Sequence, residues 1–444
     1  MAIVRPLPRR GGDRGQAHVI TAEQTSTFPR FLGLAYPNVE RGEGVWVYTA
    51  DGKKILDACS GGAMVANLGH GAQEVIQAGA RQAEKIAYFY MDHFTNEPME
   101  QLADRLITTT APEMARVRFA SSGSEANEAA LRLARSYHVD RGEGERWRVI
   151  SPAQAYHGST MATLALTGRT RTLQHPHEPY LSPHLHISMD GSGEGALREL
   201  DARLEEAGPQ AVAAFFCEPI SGAARPAFSP SEKFWRGLDE RRAKHGFLIC
   251  FDEVVTGMGR TGTWFAYQQL PIEPDIVTVG KGLGAGYAPI SALLCKQHVY
   301  DAIDRGSRFF DLGHTWDGAP ISCATGLAVL DALVESRLVE RVRERGPRLL
   351  ADLESALRGN PLVAEVRGRG FLLGISLVGM PDELRFDERV EDSAIEHGLL
   401  ITTTHSTPDG YAGDEVVFAP ALTSTDDELE LMVARLAATI KDLS

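Results

Sequence analysis

The 444-residue chain has no uninterrupted apolar run approaching the length of a membrane span. Its first residues, MAIVRPLPRRGGDRG, carry charge but no apolar segment of the kind a secretory signal needs. Five cysteines (Cys59, Cys217, Cys250, Cys295, Cys323) occur without a CxxC pair or a metal-like spacing. Three of them lie inside apolar runs, so buried free thiols in a reducing, cytoplasmic compartment are expected. Positive charge is in short supply: 45 Lys and Arg face 59 Asp and Glu, leaving −14. That argues against the basic face nucleic acid requires, though not against a small anion held locally. The histidine-rich stretch HPHEPYLSPHLH has no HExxH-type spacing, so no metal site is expected, and Thr172 to Asp190 reads as a long irregular loop. No internal repeat is visible.

The composition is otherwise that of a large globular protein, with 43% hydrophobic and 23% charged residues, enough for two domains. The most informative stretch is FLICFDEVVTGMGRTGTWFAYQQLPIEPDIVTVGKGLGAGY, Phe247 to Tyr287. FLICF runs into Asp252, and IVTV leads through Gly280 to Lys281. Both runs have strand length, β-branched or aromatic content and flanking turn residues, and read as buried parallel strands. In open α/β sheets, ligands sit beyond the carboxyl ends of strands, where both charged residues fall. A carboxylate and a primary amine placed there suit pyridoxal phosphate. The amine would form a Schiff base with its aldehyde and the acid would pair with its pyridinium nitrogen. Desolvation would lower the Lys281 pKa and make the amine a nucleophile, later a base for moving a proton from the substrate Cα.

A phosphate cradle is legible upstream, in RVRFASSGSEANEAALRLARSYH. Val117 to Ala120 reads as a strand, Ser121 to Ser124 as a tight turn, and the apolar spacing from Ala126 onward as a helix. Ser122 and Glu125 have capping-box spacing, so amides of a helix N-terminus would face whatever fills the turn. Taken alone, the local pattern favours an ordinary capped helix. Tyr156-His157-Gly158 follows a strand (Arg148 to Ser151) and could offer a ring to stack on, or a core tyrosine. Glu218-Pro219 ends another buried strand, AVAAFFC. In AYFYMDHF (Ala87 to Phe94) the four aromatics read as core packing or as a substrate-pocket wall.

Elsewhere, VWVYTADGKKILDACSG predicts a hairpin turning at Asp51-Gly52. Gln73 to Lys85, Ser231 to His245 and Leu338 to Arg358 predict helices. After about Glu335 the order becomes mixed α+β. The expected division is an arm and part of a small domain over 1–70, a large cofactor domain over 71–334, and the rest of the small domain over 335–444. The first two dozen residues are expected to form a loose arm.

With these residues in view, the chain resembles the class III (ω-type) pyridoxal phosphate-dependent aminotransferases of fold type I. The resemblance rests on FDEVVTGMGRTG, DIVTVGKGLGAGYAPI, SSGSEANEAALRLAR, AYHG, CEPI and GHTWDGAP, in the family's order. It implies an α/β fold with a large, mainly parallel sheet flanked by helices and a smaller α+β domain built from both chain ends. It also implies a cofactor aldimine on Lys281 and a ring-nitrogen partner in Asp252. Ser122, Gly123 and Ser124 would hold the phosphate, Tyr156 would stack on the ring with His157 beside it, and Val254 would press the other face. Glu218 would orient the site near the ring oxygen. Thr315 would reach the phosphate of a neighbouring subunit, which implies a homodimer with shared sites. The activity implied is transfer of an amino group from an amine or amino acid to a 2-oxo acid. An aminomutase, decarboxylase or racemase on the same fold is the alternative, and a non-catalytic regulator would need an added DNA-binding domain. Ala63, Met64, Phe89 and Tyr90 are the expected pocket wall. The family often places an arginine for the substrate carboxylate in the C-terminal region, but GLLITTTHSTPDGYAGDEVVFAPAL has none. His405, Arg367 and Arg385 are the candidate substitutes.

Overall fold

The structure is a computed structural model. It describes residues 19–20, 25–30, 32, 35–112, 114–167, 175–189, 191–378, 386–404 and 414–444. The expected N-terminal arm falls almost wholly outside these residues, as do His405 and Arg385.

Seven strands form the central sheet. In chain order they are β1 (Met114–Ala120), β2 (Arg148–Pro152), β3 (Leu185–Ile187), β4 (Val212–Cys217), β5 (Leu248–Asp252), β6 (Ile276–Val279) and β7 (Ser291–Lys296). Their spatial order is β1-β7-β6-β5-β4-β2-β3. All pairings are parallel except those of β7, which is antiparallel to both β6 and β1. The continuous apolar character of β4, β5 and β6 follows from this position, because every residue of these strands is buried. Helices Gly123–Asp140, Glu194–Ala207 and Glu232–His245 supply the crossovers.

β3 corrects the sequence reading. Leu185–Ile187 lies inside the stretch expected to be an irregular loop, yet it pairs with Ile150 to Pro152 at the sheet edge. Three residues among histidines and prolines are too short to leave a periodic signal. Of the two readings of the aromatic stretch, core packing does not hold. Tyr88, Tyr90 and Phe94 are 42%, 53% and 66% exposed, so they are not core.

The hairpin forms as expected, with Trp46–Thr49 antiparallel to Lys54–Asp57 and Gly52 at φ +83°. Its outer strand gains a parallel partner from far along the chain: Leu399 and Leu400 pair with Leu56 and Asp57. A second four-stranded sheet joins Val363–Arg369, Leu372–Leu377, Glu415–Phe418 and Thr402–Thr404. Arg260, fully buried, ties these parts to the loop after β5. It donates to the carbonyl of Phe371 (3.2 Å), the carbonyl of Pro420, Ser60 Oγ (2.9 Å) and Asn67 Oδ1 (2.5 Å). All five cysteines are buried and free. No helix among the described residues is long and apolar enough to cross a membrane.

Candidate active site

Parallel pairing puts Asp252 beside Thr278 at the carboxyl ends of β5 and β6, and Lys281 follows three residues later. Lys281 opens a short turn with φ +41°, a conformation a non-glycine residue holds only when its surroundings enforce it. Desolvation lowers its pKa, with Asp252 and then Glu218 opposing. The result is an amine with a larger neutral fraction than free lysine, close to two carboxylates.

Asp252 is 4% exposed and both of its oxygens are bonded. Oδ2 accepts from Asn127 Nδ2 and from His157 Nδ1, each at 2.8 Å, and Oδ1 accepts from the Val254 amide at 3.0 Å. Asn127 in turn accepts from Thr278 Oγ1 at 2.6 Å and gives its second amide hydrogen to the His157 carbonyl at 2.7 Å. The His157 ring meets Phe216 edge-on at 4.9 Å, and its Nε2 is buried with no hydrogen-bond partner among the described residues.

The other end is the N-terminus of the Gly123–Asp140 helix. Ser122 caps it: its Oγ accepts from the Glu125 amide at 3.3 Å, while Glu125 Oε2 accepts from the amides of Ser121 (2.8 Å) and Ser122 (3.2 Å). That capping box consumes those amides and leaves Gly123 and Ser124 as the first helical N–H groups without an intrahelical acceptor. A Cβ on Gly123 would stand 2.9 Å from Val254 Cγ1, so only glycine allows this approach. Ser124 Oγ accepts from the Ser159 amide at 3.1 Å, which leaves its hydrogen to donate.

Tyr156 is 38% exposed, and its hydroxyl bonds Ser159 Oγ at 3.1 Å. Its amide approaches Glu218 Oε2 at 3.5 Å, and Glu218 Oε1 accepts from the Gly222 amide at 2.7 Å. Burial pushes the Glu218 carboxyl up to about 7, with Asp252 adding to the rise and His157 opposing it.

The sequence-expected residues therefore divide. Ser122, Gly123, Ser124, Tyr156, His157, Glu218, Asp252, Val254 and Lys281 converge at the strand ends. Thr315 does not join them: it is exposed, and no hydrogen bond links it to this cluster among the described residues. Its segment is anchored by Asp317, which accepts from the His314 amide (3.0 Å) and from Arg118 (2.9 Å). Ala63 is exposed, whereas Met64 is 3% exposed and packs with Cys59 and Ile220. Phe89 is half-buried and Tyr90 exposed. Arg367 is committed elsewhere, to Glu365 (2.8 Å) and to the buried Glu415, so it is not the free carboxylate partner the sequence suggested. Thr402 Oγ1 donates to the Gly62 carbonyl and holds the turn before Met64. Asn127, Thr278 and Thr402 were missed by sequence reasoning. For Asn127 a signal existed: it is a polar residue beside the buried stripe of its helix.

Three features fit pyridoxal phosphate: two open amides and a hydroxyl at a glycine-lined helix end, a carboxylate with one lone pair of Oδ1 left over, and a desolvated lysine. Among the described residues no group of three or more His, Cys, Asp or Glu could hold a metal ion.

Comparison with known proteins is consistent across the chain. Residues 33–440 match the family model described as aminotransferase class-III. The uncharacterized aminotransferase YodT of Bacillus subtilis is 34% identical over 426 residues, covering 92% of this chain and 96% of that one. The putrescine–pyruvate aminotransferase of Pseudomonas aeruginosa is 31% identical over 411 residues, covering 89% of this chain and 88% of that one. Among solved structures, a PLP-bound amine transaminase from an uncultivated Pseudomonas species superposes with a TM-score of 0.86 at 31% identity, covering 95% of this chain and 97% of that one.

Proposed function

The chain belongs to the class III aminotransferases, pyridoxal phosphate-dependent transaminases of fold type I, and on that premise we propose how its own residues divide the work. Gly123 and Ser124 would take the cofactor phosphate, Tyr156 and Val254 would flank the ring, Asp252 would hold the ring nitrogen, and Lys281 would bind the carbonyl carbon. When bound, pyridoxal phosphate supplies an aldehyde that takes up the amino group and a ring that stores the electron pair released at the substrate Cα. Lys281 then serves as the base: its lowered pKa lets a neutral amine accept the Cα proton and return it elsewhere. Glu218, bonded to Gly222, steadies the wall that carries Tyr156.

The observation that carries this reading is the placing of Lys281 and Asp252 at adjacent parallel strand ends, beside a cradle of uncommitted amides. The donor we favour is an amine without an α-carboxylate, transferred to a 2-oxo acid. Arg367 is engaged by Glu365 and Glu415, so it does not offer its cation to such a group. The relative from Pseudomonas aeruginosa is named for a diamine donor. A homodimer is supported by the exposed aromatics Tyr88, Phe309 and Trp316, with Tyr88 and Trp316 edge-on at 6.0 Å. In it, Thr315 would complete the partner's phosphate site. Five buried free thiols agree with a reducing, cytoplasmic location. We divide the chain as an arm and first part of a small domain (1–70), a large cofactor domain (71–334) and the remainder of the small domain (335–444).

The test is half-reaction spectroscopy. Protein loaded with pyridoxal phosphate should gain a visible absorbance, lose it on adding a monoamine, and regain it with pyruvate. Lys281→Ala should bind the cofactor without that cycle. If the variant cycles like the parent, the assignment of Lys281 is wrong.

A further inference from the structure

We infer that Asn127, fixed in orientation by Thr278, is a positioning residue that aims the Asp252 carboxylate at the cofactor ring. The inference rests on the reading of Asp252 as the ring-nitrogen partner and deepens it.

The hydrogen-bond inventory leaves little freedom. A threonine hydroxyl that donates to Asn127 Oδ1 at 2.6 Å decides which way the side-chain amide faces. Its nitrogen then points at two acceptors, the His157 carbonyl (2.7 Å) and Asp252 Oδ2 (2.8 Å), and both of its hydrogens are used. Flipped, the amide would set its oxygen against two other oxygens. His157 Nδ1 also reaches Asp252 Oδ2, and because a carboxylate only accepts, that nitrogen carries the hydrogen. Oδ2 is thereby occupied by two donors. Oδ1, which takes only the Val254 amide, is the oxygen left for the ring. Asn127, His157, Asp252 and Thr278 are 1%, 2%, 4% and 0% exposed, so no solvent competes for these bonds.

The chain positions explain why the device is rigid. Thr278 and Asp252 are register partners on β6 and β5, so their spacing is fixed by the sheet. Asn127 lies four residues after Gly123 in the same helix, a rise of about 6 Å. One helix therefore carries both the phosphate cradle and the clamp on the ring-nitrogen partner. A shift of that helix would move both ends of the cofactor site together, which suits a ligand of fixed length.

The experiment measures the affinity of the apoprotein for pyridoxal phosphate, with apoprotein thermal unfolding followed alongside. Asn127→Ala should weaken binding roughly tenfold or more, the scale expected for losing a hydrogen bond to a charged group. Thr278→Val keeps the volume and loses the hydroxyl, and should weaken binding in the same direction. Thr278→Ser keeps the hydroxyl and loses a methyl, and should stay within about twofold of the parent. A packing role predicts the reverse order for the two Thr278 variants, and that order would overturn the inference. In an Asp252→Asn background the Asn127→Ala penalty should shrink to about twofold or less, because the clamp then has no carboxylate to aim. An undiminished penalty there would overturn the inference as well. If Asp252→Asn alone leaves affinity unchanged, the reading of Asp252 itself fails. Should Asn127→Ala not fold, the Thr278 pair decides.

Discussion

At the ends of β5 and β6, Asp252 is 4% exposed and each of its oxygens has a donor. On the segments 86–94 and 309–316, Tyr90, Phe94, Phe309 and Trp316 stand 53%, 66%, 68% and 58% exposed. The first region spends its polar groups on one another. The second holds large apolar rings that stand exposed among the described residues. Chemistry that tolerates only small errors in geometry is built on adjacent strands and one helix, where register and rise fix distances. The exposed segments are free to answer to another surface.

Four variants would break or sharpen that contrast. The largest effect is expected at the strand ends: Asp252→Ala should lower kcat by about 10^2- to 10^3-fold with little loss of fold, because it removes one preorganised electrostatic partner. Single-turnover kinetics and circular dichroism check it, and wild-type turnover would sink the contrast at its strong end. Next is Arg260→Met, which strands the acceptors at Ser60, Asn67, Phe371 and Pro420. It should cost about 3 kcal/mol in urea unfolding. On the exposed side, Trp316→Ala combined with Tyr88→Ala should leave monomer stability unchanged and weaken self-association by about 2 kcal/mol. Sedimentation across a concentration series reads this, and an unaltered dimer would remove these rings from the interface.

The smallest effect concerns Glu218, whose carboxyl burial lifts from 4.5 to about 7. Between those values the folded apoprotein keeps a proton that the unfolded chain has lost. Stability from this group is therefore full at low pH and declines as pH rises through the window. Glu218→Gln should flatten that decline by at most about 1 kcal/mol, since the side chain is only half-buried. A pH series of denaturant midpoints would show it.

The strand-end half of the site was legible because each of its parts leaves a local mark. Apolar runs closed by Asp252 and Lys281, and a capping box at Ser122 and Glu125, depend on neighbours a few residues away. The short edge strand Leu185–Ile187 was not legible, since its identity comes from Ile150 to Pro152 and not from its own residues. The pairing of Asn127 with Thr278 spans two elements and follows from the tertiary fold alone. Arg367 misled for a similar reason. A cation in sequence carries no sign of its partner, and Glu415 lies two strands away. The aromatics of AYFYMDHF show the limit of composition, which marks large rings as interior without saying whether the interior lies within one chain.

The parallel pairing of Leu399–Leu400 with Leu56–Asp57 sets a clock on synthesis. The hairpin leaves the ribosome early, but the strand that covers its edge is made about 340 residues later, on the order of 20 to 70 s at ordinary elongation rates. For that interval the amide of Leu56 lacks the Gly398 carbonyl and the amide of Ala58 lacks that of Leu400. The nascent chain thus carries an open strand edge until the segment around Leu399 emerges, the kind of edge that invites pairing with another chain.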